Sequence, residues 1–266
     1  MKTMKSTNLI LLPALLLAIL LSARAEAALL LNGELTHEYT TAPGQQLSGM
    51  VEVQNNGAQA IELLVTQADS APDGSTAHHP RSNRSWVYLT QDRLLLQPGT
   101  TEQISYTIAV PAGKGSGTYW SGINIEPVTA ESQTLPAQPG QVTVGVKQKV
   151  RYSVSLLTHI GQGAGKVVFG KPTLQNTQGG DKLLQLNLAN QGIFHSRPEL
   201  SMEVFDQNGR TLGTWHGNKR GLFPGVSKTF EIPLHNLAPG QYKALLMAED
   251  ANSGRTFGAD MQLNIR

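Results

Sequence analysis

Apolar and polar residues alternate along most of this 266-residue chain. The longest such run is 141–157, QVTVGVKQKVRYSVSLL. Val142, Val144, Val146, Val150, Tyr152, Val154 and Leu156 share one face of an extended strand, and Thr143, Lys147, Lys149, Arg151, Ser153 and Ser155 share the other. Side chains on a strand alternate with period two, so the run predicts a strand with one cationic face. At about 3.3 Å per residue it would span roughly 50 Å, against the ~17–20 Å of an ordinary strand. Part of it is therefore expected to bend, to cross between domains, or to protrude toward a partner.

Shorter runs of the same kind surround it. In the first half they lie at 29–35, 47–54, 60–67, 86–89, 93–96, 102–110 and 118–125. Pro43-Gly44, Asn55-Asn56-Gly57 and Gln97-Pro98-Gly99 supply turns between them. The stretches 68–85 and 128–139 are polar and read as loops. After the glycine-rich segment 161–165 the pattern resumes at 165–169, 183–188, 200–205, 229–232, 242–249 and 261–265. No stretch of the mature chain sustains a helical period, and no fixed-period repeat is visible. Strands every ~8–12 residues with turn signals between them predict sandwiches. The fold expected is all-β: two tandem immunoglobulin-like β-sandwiches, over 28–158 and 163–266, set at an angle about the junction at 161–165.

The first 27 residues stand outside that pattern. Lys2 and Lys5 precede a continuous apolar stretch at 9–21, and Ala23, Ala25 and Ala27 follow it. This is the arrangement of a secretory signal peptide, too short to span a membrane. Cleavage is expected after Ala25 or Ala27, leaving about 239 residues outside the cytoplasmic membrane, with no membrane span in the mature protein. Removal of Lys2, Lys5, Arg24 and Glu26 brings 21 basic and 19 acidic residues to 18 of each. The basic balance thus belongs to the leader, and a nucleic-acid partner is not implied. With no cysteine in the chain, disulfides, thiol catalysis and thiolate metal sites are excluded.

Signals for catalysis are weak. The chain has no Gly-x-Ser-x-Gly, no His-Glu-x-x-His and no phosphate-binding loop, and Glu126, Glu131 and Asp181 form no recognisable acid–base pair. His78-His79, with Asp69 and Asp73 upstream, is the one cluster with a metal-like composition; adjacent histidines on a strand diverge, so a solvated loop is the expectation and no metal or cofactor is assigned. Tyr119-Trp120 could stack on a sugar ring. On a strand one ring faces the core, so a structural pair is favoured. The basic face formed by Lys147, Lys149 and Arg151 has a plain reading as an edge strand guarded by charge.

Several motifs taken in order change that reading. Gly44 precedes an alternating strand that ends in asparagine, MVEVQN at 50–55. Leu96-Gln97-Pro98-Gly99 leads into the strand at 104–108. TYWSGINIEP at 118–127 combines aromatic, Asn and Pro, and VTVGVKQKVR at 142–151 alternates and then turns basic. In this order the first half resembles the N-terminal domain of periplasmic pilus-assembly chaperones of the chaperone–usher type. That family lends apolar residues of its last first-domain strand to an unfinished subunit and anchors the subunit's C-terminal carboxylate with a basic residue. The resemblance implies Val142, Val144 and Val146 as strand donors, Arg151 with Lys149 beside it as the anchor in the interdomain cleft, and fimbrial or pilus subunits and an outer-membrane usher as partners. The physics suits such a role. An added strand satisfies backbone groups, stiff valines fill a groove, and a guanidinium takes a carboxylate through two parallel hydrogen bonds. Where the family places a second basic residue in the first strand, this chain has Tyr39, with His37 the nearest substitute; these two are the expected accessory residues, together with Tyr119 and Trp120. The second half departs from that family, and the order of domains also resembles WxL-interacting surface proteins of Gram-positive bacteria. The alternative function is accordingly a non-catalytic envelope or surface protein that binds a glycan or protein through Tyr119-Trp120 or the loop 68–85.

Overall fold

Alternation becomes burial strand by strand. The computed structural model describes residues 28–69, 78–129, 131–134, 145–177 and 181–265. The first half forms β1 (Leu29–Asn32), β2 (Thr36–Thr41), β3 (Gln46–Asn55), β4 (Ile61–Ala68), β5 (Val87–Leu89), β6 (Arg93–Leu96), β7 (Thr101–Ala109), β8 (Gly117–Pro127), β9 (Glu131–Thr134), β10 (Gly145–Gln148) and β11 (Tyr152–Ile160). One sheet runs β1-β3-β7-β5 and the facing one β2-β11-β8-β4-β6. Their inner faces enclose a core that includes Val53, Leu63, Ile104, Ile108, Ile123, Ile125, Val154 and Leu156. The outward positions of the same strands carry the polar residues, so each face follows from its period-two pattern.

The second half forms β12 (Val167–Phe169), β13 (Thr173–Asn176), β14 (Lys182–Asn190), β15 (Pro198–Phe205), β16 (Thr211–Lys219), β17 (Ser227–Leu234), β18 (Gly240–Asp250) and β19 (Thr256–Ile265). One sheet holds β12, β13 and β17 around β14; the other runs β16-β15-β18-β19. A separate core forms between them around Leu184, Leu188, Met202, Val204, Phe230, Ile232 and Leu246. The molecule is thus all-β, with two immunoglobulin-like sandwiches in tandem.

Several expected boundaries change. The run at 29–35 breaks at Gly33, whose φ of 106° turns the chain from one sheet to the other. Beyond it β2, not anticipated as a strand, pairs in parallel with β11 from Thr36↔Ser155 to Thr41↔Ile160. The stretch 128–139, expected as a loop, contains β9. The long run at 141–157 is divided, β10 before Lys149 and β11 after Arg151. In the second half β13 and β16 are additional strands.

One device recurs in both sandwiches. Asn55 ends β3, and its side-chain amide donates to the carbonyls of Gln59 and Leu96 while its Oδ1 accepts from Gly57 N–H. Asn190 ends β14, donates to Phe194 and Leu222, and accepts from Gly192 N–H. Each is closed by a Leu-x-Pro-Gly turn: Gly99 N–H donates to Asn55 O and Gly225 N–H to Asn190 O, both at 2.8 Å. The two halves are therefore built on one plan, although their sequences show no fixed-period repeat.

Candidate functional site: an open strand edge and a polar sheet face

Past the body of the first sandwich, β8 and β11 lead into a two-stranded extension. β9 and β10 pair antiparallel from Thr134↔Gly145 to Glu131↔Gln148. The register slips between the two pairs. With Ile125 opposite Tyr152, an unbroken ladder would set Glu131 against Val146, yet Glu131 faces Gln148. On one side β11 is paired with β8 over its whole length. On the other, β2 covers only Ser155 to Ile160. Among the described residues no strand pairs with that second edge over 152–154, nor with the free edge of β10. Strand edges with unpaired N–H and C=O groups are templates for another strand. Val146 lies in β10. Val142 and Val144 lie outside the described residues.

The outer face of the β11–β8 pair is polar at this end. Ser153 Oγ donates to Asn124 Oδ1 at 2.7 Å. Next along, Arg151 Nε donates to Glu126 Oε2 at 2.8 Å, and Lys149 Nζ stands 3.5 Å from Glu126 Oε1. The hydrogen bond from Arg151 holds the Glu126 carboxyl below its ordinary range. Two cations thus share one carboxylate, and Arg151 remains 55% exposed. The expected placement of Arg151 in the interdomain cleft needs correction. Arg151 precedes β11, whose other end at Ile160 meets the junction, and nine residues of extended chain set the two apart by roughly 30 Å.

His37 and Tyr39 do not stand beside Arg151 either. They occupy alternate positions of β2 on its inner side, where Tyr39 Oη is 2.7 Å and His37 Nδ1 2.5 Å from Tyr106 Oη. Burial, reinforced by the Tyr39 hydrogen bond, pushes the Tyr106 hydroxyl above its ordinary value. Gly49 on β3 makes room for this cluster, since a β-carbon there would overlap Tyr39 Oη and the Tyr106 ring. The physical reason is parity: on β2 the odd-numbered residues face the core, leaving Glu38 and Thr40 to look outward.

Tyr119 and Trp120 divide between the two faces of β8. Tyr119 joins the core against Trp86, ring centroids 4.9 Å apart. Trp120 points outward but is only 3% exposed. Its ring stacks with His79 at 4.1 Å and with Phe223 of the second sandwich at 4.5 Å. A sugar therefore has no access to it, and the indole serves the domain junction. Sequence reasoning missed the rest of that junction. Thr118 N–H donates to Ile193 O, His195 N–H donates to Thr118 Oγ1, and Arg197 pairs with Glu38. Beside these contacts Glu38, Thr40, His159, Phe194, His195 and Arg255 help line a cavity of about 540 Å³ between the sandwiches. A sequence signal for it lies in the Leu-x-Pro-Gly turns at 96–99 and 222–225, whose second position is an exposed Gln97 in the one and the aromatic Phe223 in the other.

Near His78 the expected solvated loop has a small polar network: Asp69 accepts from Ser82 Oγ and lies 3.2 Å from His78 Nδ1. Asp73 lies outside the described residues. Among the described residues no group of three or more His, Cys, Asp or Glu is placed to hold a metal ion, and no helix is long and apolar enough to cross a membrane.

No protein-family model and no curated protein sequence matches the chain. Among solved structures it is similar to one from the chaperone–tip adhesin complex of CFA/I fimbriae biogenesis, at 9% identity and a TM-score of 0.46, covering 90% of this chain and 99% of that one. It is similar to the class 5 fimbriae chaperone CfaA, at 10% identity and a TM-score of 0.45, covering 90% and 99%. A third is the CsuC–CsuE chaperone–tip adhesion subunit pre-assembly complex of archaic chaperone–usher Csu pili of Acinetobacter baumannii, at 12% identity and a TM-score of 0.44, covering 88% and 98%.

Proposed function

We propose that this chain is a non-enzymatic, exported, chaperone-like protein that binds unfinished fimbrial or pilus subunits by strand addition and assists their assembly, in the periplasm and in company with an outer-membrane usher. One observation carries the reading. Among the described residues, the edge of β11 that β2 occupies from Ser155 to Ile160 has no partner strand over 152–154 or along β10, while the opposite edge is paired along β11 and β10. A subunit lacking a strand would gain backbone hydrogen bonds along this edge, and alternate side chains would fill its groove. In this reading Val142, Val144 and Val146 are the donors. Arg151, with Lys149, takes the subunit's terminal carboxylate by exchanging it for Glu126.

Co-expression with candidate subunits from neighbouring genes tests this. Arg151→Ala and Val144→Glu are each expected to lower recovery of soluble subunit at least tenfold, the equivalent of losing about 1.4 kcal/mol of binding. The Arg151 side chain is exposed, and a far-UV spectrum equal to that of the wild type is required of both variants before their recovery is compared. Undiminished recovery with both variants would rule out the assembly role.

A further inference from the structure

We propose that the contact between the two sandwiches is an acid-opened hinge: the segment 193–197 docks on β8 and β11 through a histidine-centred contact that holds the sandwiches together at neutral pH and releases them in acid. The inference does not depend on the function proposed above.

The geometry is specific. The chain leaves β11 at Ile160 through Gly161, at φ 73°, and Gly163, whose missing side chain lets the Phe194 ring pack on the linker. His195 follows Phe194 and is 5% exposed. Its N–H donates to Thr118 Oγ1 of the first sandwich at 2.8 Å. Thr118 Oγ1 is also 2.8 Å from His159 Nδ1, and His159 Nε2 lies 3.5 Å from Glu38. The His195 ring tilts against Phe223 at 4.9 Å, and Phe223 stacks on Trp120. The imidazole therefore rests on an aromatic contact that reaches Trp120, the His195 backbone N–H is held by Thr118, and Arg197 two residues on pairs with Glu38, so three contacts bridge the two halves beside one histidine.

The charged and titratable groups around His195 come from every neighbouring element. Glu38 belongs to β2, His159 to β11 and Asp250 to the end of β18; Arg197 lies two residues on, and Arg255 lines the same cavity. Glu38 and Asp250 favour a charged imidazole, whereas Arg197 and His159 oppose it. Burial outweighs them all and pushes His195 down to about 4. In the open form, wet on that side, it returns toward its ordinary value of about 6.5. The closed form is therefore fully favoured above about pH 6.5, and its advantage falls as pH drops from there to about 4, because the open form takes up a proton that the closed form does not. Across that window the closed-to-open ratio declines by up to about 300-fold. Glu38, held low by its His159 hydrogen bond and by Arg197, keeps its charge until lower pH and so does not trigger the opening.

The chain has no cysteine, so two introduced ones take labels uniquely. Exposed Tyr88 and Leu212 report from the two sandwiches. With Tyr88→Cys and Leu212→Cys labelled for energy transfer, the full mature chain is expected to show one interdomain distance at pH 7.5 and a longer, broader one by pH 4.5, with the far-UV spectrum unchanged. His195→Gln, which cannot charge, is expected to stay closed across the same range. Histidine NMR of the unsubstituted chain gives a second readout: the His195 ring should titrate together with the opening. A distance constant to pH 4, opening of His195→Gln at the wild-type pH, or loss of β-structure coincident with the distance change would overturn the proposal.

Discussion

Asn55 and Asn190 show how much a single side chain can decide. Each is buried at the end of a strand: Asn55 satisfies two carbonyls and the N–H of Gly57, and Asn190 two carbonyls and the N–H groups of Lys166 and Gly192. A buried polar group left without its partner costs about 1–3 kcal/mol. Asn55→Ala or Asn190→Ala is therefore expected to lower stability by about 2–4 kcal/mol, measured by urea unfolding, with each variant affecting chiefly its own sandwich. Glu126 works in the opposite sense. By pairing with Arg151 in the free chain it keeps the exposed guanidinium oriented, so under the proposed function a subunit carboxylate would have to displace Glu126. Much of the candidate site was legible residue by residue. Lys149 and Arg151 stand out as the basic end of an alternating run. Their partner Glu126 is distant in sequence and carries no local sign of its role. Parity along β2 likewise became decidable only once Tyr39 was seen against Tyr106.

The division of the long run at 149–151 sets the character of the β9–β10 extension. Its two strands form their own sheet, outside both sheets of the first sandwich. Replacing 130–148 by a short turn is therefore expected to leave that sandwich folded, with Tm changed by no more than about 3 °C, while abolishing subunit capture; calorimetry and pull-down measure the two effects separately. Strands that alternation failed to reveal share a position. β2, β13 and β16 lie at sheet edges, and β9 lies in the extension. An edge strand buries one face at most and often little of that, so selection for apolar alternation is weak there. The sequences THEYTT, TLQN and TLGTWHGNK show this, as does ESQT. Central strands such as β3, β8, β14 and β18 must fill a core, and these were readable.

At the scale of the molecule, the second sandwich covers one end of an outer sheet face whose other end carries Arg151 and Glu126. Trp120, Leu157 and His159 lie under the covered end. Phe223 is the main aromatic contact from the far side. Phe223→Ala is expected to weaken the docking of the sandwiches by about 1–2 kcal/mol without unfolding either. Limited proteolysis at 161–165 checks this: cleavage should accelerate by about tenfold, with both sandwiches surviving as stable fragments.

The sequence by itself determined the all-β class, the number of sandwiches and the unusual length of the run at 141–157, because these follow from period-two burial and from turn residues that act within a few positions. Only the tertiary structure decided where that run breaks, which of its edges stays open, that Arg151 meets Glu126 far from the junction, and that Trp120 is an interdomain residue rather than a binding platform. Those features depend on which strands become neighbours, and strand pairing joins residues with no local pattern in common.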